Sequence, residues 1–147
     1  MVNYQRVHMS SQLNLFNQPS LNVLRDVKVE MATAACECGL SRDEICDRMN
    51  ELAERYGVRL VKGNGRKLLL ATLEKWLNPE DKTRMIPVKA LPVFCAVTGS
   101  EKPLVPLVEP LGFRIINEQE AKLLAWAEHY QQAKRARARM RKLEAEL

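Results

Sequence analysis

The sequence predicts an all-α protein in which a bundle of short helices precedes one long C-terminal helix. Three observations support this class. Apolar residues recur at intervals of three and four along much of the chain, and helix-capping residues and glycines bound several of these runs. The last stretch, from Asn117 to Leu147, contains neither glycine nor proline, which is typical of an uninterrupted helix.

The composition is that of a globular protein with a basic character. The chain has 147 residues, of which 46% are hydrophobic, and a formal net charge of +5. A positive net charge favours an anionic partner. No window approaches the roughly 18 consecutive apolar residues of a membrane helix, and the N-terminus lacks the apolar region of a signal peptide. The sequence therefore predicts a cytoplasmic protein without membrane attachment.

The first 19 residues are polar and show no period, which predicts a flexible arm. Ser20 can then cap a first helix, because a serine oxygen accepts a backbone N–H at a helix start. Gly39 ends this helix, since glycine tolerates the left-handed conformation that follows many helices. The apolar side of the helix consists of Leu21, Leu24, Val27, Met31, Ala34, Ala35 and Cys38.

The second helix has the clearest boundaries. Ser41 and Glu44 have the spacing of a capping box, in which each residue satisfies a backbone N–H of the other. This spacing predicts a helix over Arg42–Arg55 that ends before Gly57. Its apolar face consists of Ile45, Met49, Leu52, Ala53 and Tyr56.

A basic connection separates the second and third helices. Val58–Lys67 contains Gly63-Asn64-Gly65, which predicts either a small hairpin or a mobile loop. The third helix is predicted at about Lys67–Leu77, before Asn78-Pro79, and a polar linker over Glu80–Arg84 follows it.

Prolines mark the remaining short elements. Pro87 could start a fourth helix, although Pro92 in the same run leaves its start open. This helix ends at Thr98-Gly99-Ser100, and prolines keep the next element, Leu104–Leu111, short. Phe113–Ile116 could form a short strand or an extended tail that packs back on the bundle.

The sequence gives little support for a metal site or a catalytic site. Its four cysteines, Cys36, Cys38, Cys46 and Cys95, do not have a usual zinc spacing. They are expected to be reduced thiols, with Cys46 and Cys95 in the core. There is no glycine-rich phosphate loop, and no carboxylate is isolated in an apolar run as a tuned acid would be. The sequence therefore predicts no enzyme, no cofactor, no metal and no small-molecule substrate.

Two pairs of consecutive helices could form a helix-turn-helix, in which the second helix enters the major groove of DNA. In the first of these pairings, or registers, the first and second helices form the motif. Ala35, Gly39 and Ile45 mark the turn between them. The exposed side of that second helix is acidic: Asp43, Glu44, Asp47, Glu51 and Glu54. DNA phosphates would repel it.

In the second register the second helix positions the third helix, whose exposed side holds Thr72 and Lys75. Charge favours this register, although the connection between its two helices is longer than the roughly three or four residues that are usual. An ordinary all-α domain with a solvated cationic face is the alternative. Trp76 could stack on single-stranded bases, but its helical spacing with Leu73 and Leu77 favours a core position.

Four segments resemble small phage and prophage regulators of the CII-like and YdaS-like group, with relatives among Mu-like prophages. They are LSRDEICDRMN (40–50), TLEKWLNP (72–79), IPVKALPVFCAVTG (86–99) and LVPLVEPLGFRII (104–116). The resemblance covers roughly residues 20–116. It implies a lambda-repressor-type helix-turn-helix domain formed by the second and third helices. It also implies that Thr72 and Lys75 lie on the recognition helix and that Leu73, Trp76 and Leu77 pack that helix down.

The sequence thus predicts a phage-type transcriptional regulator that binds double-stranded DNA sequence-specifically through residues 20–116. Phosphates and base edges are distinct targets in such an interface. Thr72 and Lys75 are expected to face base edges. The residues expected to bind phosphates are Lys62, Arg66, Lys67, Lys82 and Arg84.

Residues 117–147 form a basic C-terminal helix and a possible dimerisation element. Its apolar positions form an imperfect heptad series that Arg137 interrupts. We expect a weak homodimer that duplex DNA strengthens, with the helices antiparallel or folded back on their own bundles to relieve charge repulsion. The cations of Lys134–Lys142 could instead contact nucleic acid directly or form a solvated face. A non-specific nucleoprotein or protein-interaction module using this helix is therefore the alternative function, and single-stranded or RNA binding is a further one.

Overall fold

The computed structural model describes residues 19–63, 65 and 67–147. All regular elements of these residues are helices, so the all-α class with a long C-terminal helix is confirmed. The chain divides into two compact units, of which the first ends at Phe113 and the second comprises Arg114–Leu147. The flexible arm predicted for residues 1–19 lies outside the described residues, except for Pro19.

The first unit contains five of the α-helices, and the second contains one. Short 3-10 turns at Lys102–Leu104 and Glu109–Leu111 flank the fifth helix. The helices are α1 (Leu24–Glu37), α2 (Arg42–Tyr56), α3 (Leu70–Leu77), α4 (Leu91–Thr98), α5 (Val105–Val108) and α6 (Glu118–Ala145).

The start of α1 differs from the prediction. The helix begins at Leu24 after Val23, and no side chain caps it. The hydroxyl of Ser20 instead accepts the backbone N–H of Asn22 at 3.1 Å, which closes a local turn. The predicted Ser20 cap is therefore wrong. Gly39 follows the helix with φ 75°, in the left-handed region predicted for it.

The capping box of α2 is confirmed. The Ser41 hydroxyl accepts the N–H of Glu44 at 3.2 Å, and the Glu44 carboxylate accepts the N–H of Ser41 at 2.7 Å. These hydrogen bonds from Ser41 lower the pKa of the Glu44 carboxyl. Gly57 ends the helix with φ 65°. Both ends therefore lie within a residue of their predicted positions.

Helices α1 to α4 share one apolar core. Trp76 is only 2% exposed, so its core interpretation is confirmed. Cys46 is buried and Cys95 is half-buried, and burial raises the pKa of both thiols, that of Cys95 to about 11. Other core residues are Val27, Met31, Ala34, Ala35, Ile45, Met49, Ala53, Leu60, Leu68, Leu73, Leu77, Ile86, Ala90, Leu91, Val93 and Phe94.

The connection between α2 and α3 forms no strand in its described residues, which excludes the hairpin there. Leu60 is buried and fixes the first part of the connection to the core. The Arg59 guanidinium donates a hydrogen bond to the carbonyl oxygen of Gly63, closing a short loop. The backbone of Leu69 is extended, so α3 begins at Leu70 and not at Lys67 as predicted.

Two prolines lie near the start of α4, as predicted. Helix α4 begins at Leu91 with Pro92 in its first turn, where the missing proline N–H breaks no hydrogen bond. Pro87 precedes the helix, and its carbonyl accepts the N–H of Ala90 at 2.9 Å. Phe113–Ile116 is irregular and exposed, so neither the predicted strand nor a buried tail forms there.

A second capping box starts α6. The Asn117 side chain accepts the N–H of Glu120 at 2.9 Å, and the Glu120 carboxylate accepts the N–H of Asn117 at 2.8 Å. The helix continues for 28 residues, all of them described, and none is buried. The large apolar residues of the helix are therefore exposed.

Candidate nucleic-acid interface

Helix α3 has one buried face and one exposed face. Leu73, Trp76 and Leu77 are at most 2% exposed and pack the helix into the core. Thr72 is half-buried and Lys75 is exposed. The second helix-turn-helix register predicts both residues on the exposed side of a reading helix. Lys75 is exposed as predicted, whereas Thr72 is only partly exposed.

The residues before α3 are held by Asn50 on α2. The Asn50 amide donates to the carbonyl oxygen of Leu68 at 2.9 Å, and its oxygen accepts the N–H of Leu68 at 2.7 Å. The Cys46 thiol lies 3.3 Å from the same carbonyl oxygen. Both backbone groups of buried Leu68 are thus satisfied, as buried peptide groups require. This contact fixes the position at which α3 begins.

Sequence reasoning missed Asn50, although a signal was present. Asn50 lies four residues after Cys46 and three before Ala53, so it occupies the apolar face of α2. An amide in that position requires hydrogen-bond partners. The sequence does not reveal which segment supplies them.

The other end of α3 is held by Lys28 on α1. Lys28 is 1% exposed, and its Nζ donates to the carbonyl oxygen of Lys75 at 2.9 Å and also to that of Asp81. Burial lowers the pKa of Lys28, while the Asp81 carboxylate acts in the opposite direction. A cation at a helix C-terminus pairs with the unsatisfied carbonyls there. Lys28 therefore joins α1, α3 and the linker, although its position in the sequence does not indicate this role.

The linker after α3 folds around Asp81. One carboxylate oxygen of Asp81 accepts the backbone N–H of Thr83 at 2.7 Å, its hydroxyl at 2.6 Å and the N–H of Arg84 at 3.3 Å. These hydrogen bonds lower the pKa of Asp81, most strongly those from Thr83. The resulting turn fixes the backbone on both sides of Thr83, where the cations Lys82 and Arg84 project.

A cleft of about 500 Å³ opens between α3, the linker and the connection from α2. Four of the predicted DNA-binding residues line it: Lys62, Lys67, Thr72 and Arg84. Its apolar lining consists of Leu60, Val61, Leu69, Trp76, Met85 and Pro87. Among the described residues of this cleft there are three cations and no carboxylate. Because like charges in a concave site add their fields, the cleft attracts anions such as phosphates.

The remaining predicted residues lie outside this lining. Lys75 and Lys82 are exposed but do not line the cleft. Arg66 lies outside the described residues. The structure thus brings four of the seven residues together and places Lys75 on the exposed side of the same helix as Thr72.

The acidic side of α2 is confirmed as exposed, which weighs against α2 as a reading helix. Arg42 at the start of α2 pairs with Glu74 on α3, with 3.5 Å between guanidinium nitrogen and carboxylate oxygen. Glu74 is exposed next to Lys75, so this pair offsets the one negative charge of α3. The exposed acids of α2 are Asp43, Glu44, Asp47, Glu51 and Glu54.

The described residues contain no group of three or more side chains that could hold a metal ion. Within the same ranges no helix is long and apolar enough to cross a bilayer. Comparisons of the chain with models of protein families, with curated proteins and with solved structures gave no significant match.

Proposed function

We propose that the first unit binds double-stranded DNA sequence-specifically, as a phage-type transcriptional regulator does, with α2 as the positioning helix and α3 as the recognition helix. One observation carries this proposal. Lys62 and Lys67 of the connection before α3 and Arg84 of the linker after it line one cleft beside α3. Phosphate oxygens are the ligands that such a group of cations attracts most strongly.

The two sets of residues would have different roles. Lys62, Lys67 and Arg84, with Lys82 and Arg66, would bind phosphates and set the position of the domain on the duplex. Thr72 and Lys75 on α3 would contact base edges, because a lysine ammonium can donate to the O6 and N7 acceptors of guanine. Sequence preference therefore rests on α3, and affinity rests mainly on the surrounding cations.

The fixed ends of α3 support a reading role. Asn50 holds the segment before the helix and Lys28 holds its last turn. A binding group that is already in place loses less conformational entropy on binding. Both contacts come from buried or half-buried side chains, so they would not compete with DNA.

Selection of bound sequences from a random duplex pool tests the proposal. We expect a recovered motif, and we expect the Lys67→Ala/Arg84→Ala variant to lose affinity for all duplexes. Arg55→Ala removes an exposed cation of α2 that does not line the cleft, so it serves as the control and should bind as the unaltered chain does. Unchanged affinity of the cleft variant would contradict the proposal.

The second candidate is a non-specific nucleoprotein or protein-interaction module that uses α6. It is favoured by the six cations of Lys134–Lys142 on a helix without buried residues. Selection without a motif, together with duplex binding that survives the cleft variant, would support it. The weak homodimer expected through α6 is compatible with either function, since paired domains can bind paired half-sites.

A further inference from the structure

One face of α6 carries a stripe with two chemically different halves. Residues three or four positions apart share a face of a helix. Leu123, Trp126 and Tyr130 follow one another at this spacing in the N-terminal part of α6. Lys134, Arg137 and Arg141 continue the same stripe toward the C-terminus. The first half is thus apolar and aromatic, and the second half is cationic.

The aromatic half presents a continuous surface to solvent. The rings of Trp126 and Tyr130 are stacked, with centroids 5.6 Å apart and planes 19° from parallel. Trp126 is 64% exposed and Tyr130 is 58% exposed. Exposed aromatic surface of this extent is unfavourable in water and typical of an interaction site.

The cationic half follows this aromatic surface along the same helix. Lys134, Arg137 and Arg141 line a shallow groove of about 310 Å³ that begins at Tyr130. The alternating arginines predict charge distributed around the helix, but these three cations line one groove. Arg135, Arg139 and Lys142 do not line it. These three cations therefore lie on a different side of the same helix.

We propose that α6 pairs with α6 of a second copy in antiparallel orientation, so that the aromatic half of each helix faces the cationic half of the other. With the two-fold axis between Ala133 and Lys134, Trp126 faces Arg141 of the other copy and Tyr130 faces Arg137. A guanidinium over an aromatic ring within roughly 6 Å of its centroid is attracted by the electron-rich face. A two-fold axis repeats each contact, as an isologous interface requires.

The composition of the stripe selects both the partner and the orientation. A nucleic acid or an acidic protein would neutralise the cations but would leave the exposed rings of Trp126 and Tyr130 uncovered. A parallel pair would place Arg137 against Arg137, where like charges repel. An antiparallel second copy covers the rings of Trp126 and Tyr130 with Arg141 and Arg137 and keeps these like charges apart. The proposal refines the homodimer of the proposed function and does not depend on DNA binding by the cleft.

Sedimentation of the full chain tests the pairing with a matched pair of variants. Arg137→Glu/Arg141→Glu and Arg135→Glu/Arg139→Glu change the net charge of the same helix equally. We expect a concentration-dependent dimer for the unaltered chain, monomers for the first variant and an unchanged dimer for the second. Trp126→Ala should also give monomers. A monomeric unaltered chain, or equal effects of the two double variants, would overturn the proposal.

Disulfide trapping tests the orientation. The proposed register places Leu123 opposite Glu144 of the other copy. A mixture of Leu123→Cys and Glu144→Cys chains should therefore give a crosslinked heterodimer on mild oxidation, and the unaltered chain, with its own four cysteines, gives the background. Crosslinking of Leu123→Cys with itself above that background would indicate parallel helices and overturn the orientation. The Lys67→Ala/Arg84→Ala variant should dimerise normally, so loss of DNA binding and loss of pairing are separate outcomes.

Discussion

At the scale of single residues, one buried and one half-buried polar side chain hold the two ends of α3. Lys28 and Asn50 come from different helices and bind backbone groups at opposite ends of α3. Neither side chain lines the cleft. Their effect on DNA binding would therefore be indirect, through the position of Thr72 and Lys75.

Asn50→Ala should destabilise the protein. The substitution leaves the N–H of Leu68 without a partner and removes the amide donor from its carbonyl. A buried peptide group that loses its hydrogen bond costs about 1–3 kcal/mol, and we expect a loss of unfolding free energy in that range in denaturant melts. Asn22→Ala, at an exposed asparagine before α1, is the control. An equal midpoint for Asn50→Ala and the unaltered chain would contradict the role of Asn50.

The buried ammonium of Lys28 predicts a particular pH dependence of stability. Because burial lowers the pKa of Lys28 in the folded state, the unfolded chain binds more protons between that pKa and the ordinary value of 10.5. The contribution of this group to the free energy of unfolding therefore rises with pH across that window. Denaturant melts of the unaltered chain and of Lys28→Met measure this effect. The free energy of unfolding of the unaltered chain, relative to that of the variant, should rise from neutral pH to pH of about 10. A difference that moves the other way would contradict the burial of the charged group.

Lys75 and Arg84 should respond differently to truncation. Lys75→Ala is expected to weaken the selected duplex by about 1–3 kcal/mol with little effect on random duplexes. Arg84→Ala should weaken all sequences alike and reduce the slope of log affinity against log salt by about 1. Titrations of both duplexes over a range of salt concentrations measure the two effects. Unchanged affinity of Lys75→Ala for both duplexes would mean that α3 is not the reading helix.

At the scale of elements, the capping box of α2 can be tested alone. Ser41→Ala removes the hydroxyl that accepts the N–H of Glu44. Loss of such a cap costs roughly 1 kcal/mol, and we expect that loss in denaturant melts without a change in sequence preference. Ser100→Ala, where the hydroxyl accepts the N–H of Lys102 outside any helix cap, is a comparison. A Ser41→Ala midpoint equal to that of the unaltered chain would remove the stabilising role of the cap.

The helix ends that could be predicted are those set by local contacts. Ser41, Glu44 and Gly57 are close in sequence to the backbone groups that they satisfy, so both ends of α2 followed from the spacing of residues. The start of α3 depends on Asn50, which lies 18 residues before its partner Leu68, and a sequence pattern does not specify such a pair. The same limitation applies to the cleft. Its cations were predicted individually, but the position of the linker on one side of the cleft depends on Lys28 and Asp81.

At the scale of the whole molecule, the two units have separate properties. The first unit contains the core and the cleft, and the second contains an exposed helix. Composition and periodicity predicted the long helix, because it has no breaking residue, whereas its capping box was recognised only in the structure. The groove that three of its cations line together with Tyr130 became apparent only in the structure, since the alternating arginines suggest an even distribution.

A chain that ends at Asn117 should separate DNA reading from pairing. It retains α1 to α5 and the cleft, so it should bind a single half-site with the affinity of the full chain. Two copies joined through α6 would bind two half-sites about one helical turn apart, and the second contact would then be intramolecular and favoured by a high effective concentration. We therefore expect the shortened chain to lose affinity for the paired half-sites, to sediment as a monomer with and without duplex, and to keep its sequence preference. Titration of single and paired half-sites with both chains measures this difference. Equal affinities of both chains for the paired sites, with equal monomer masses, would show that α6 does not join copies on DNA.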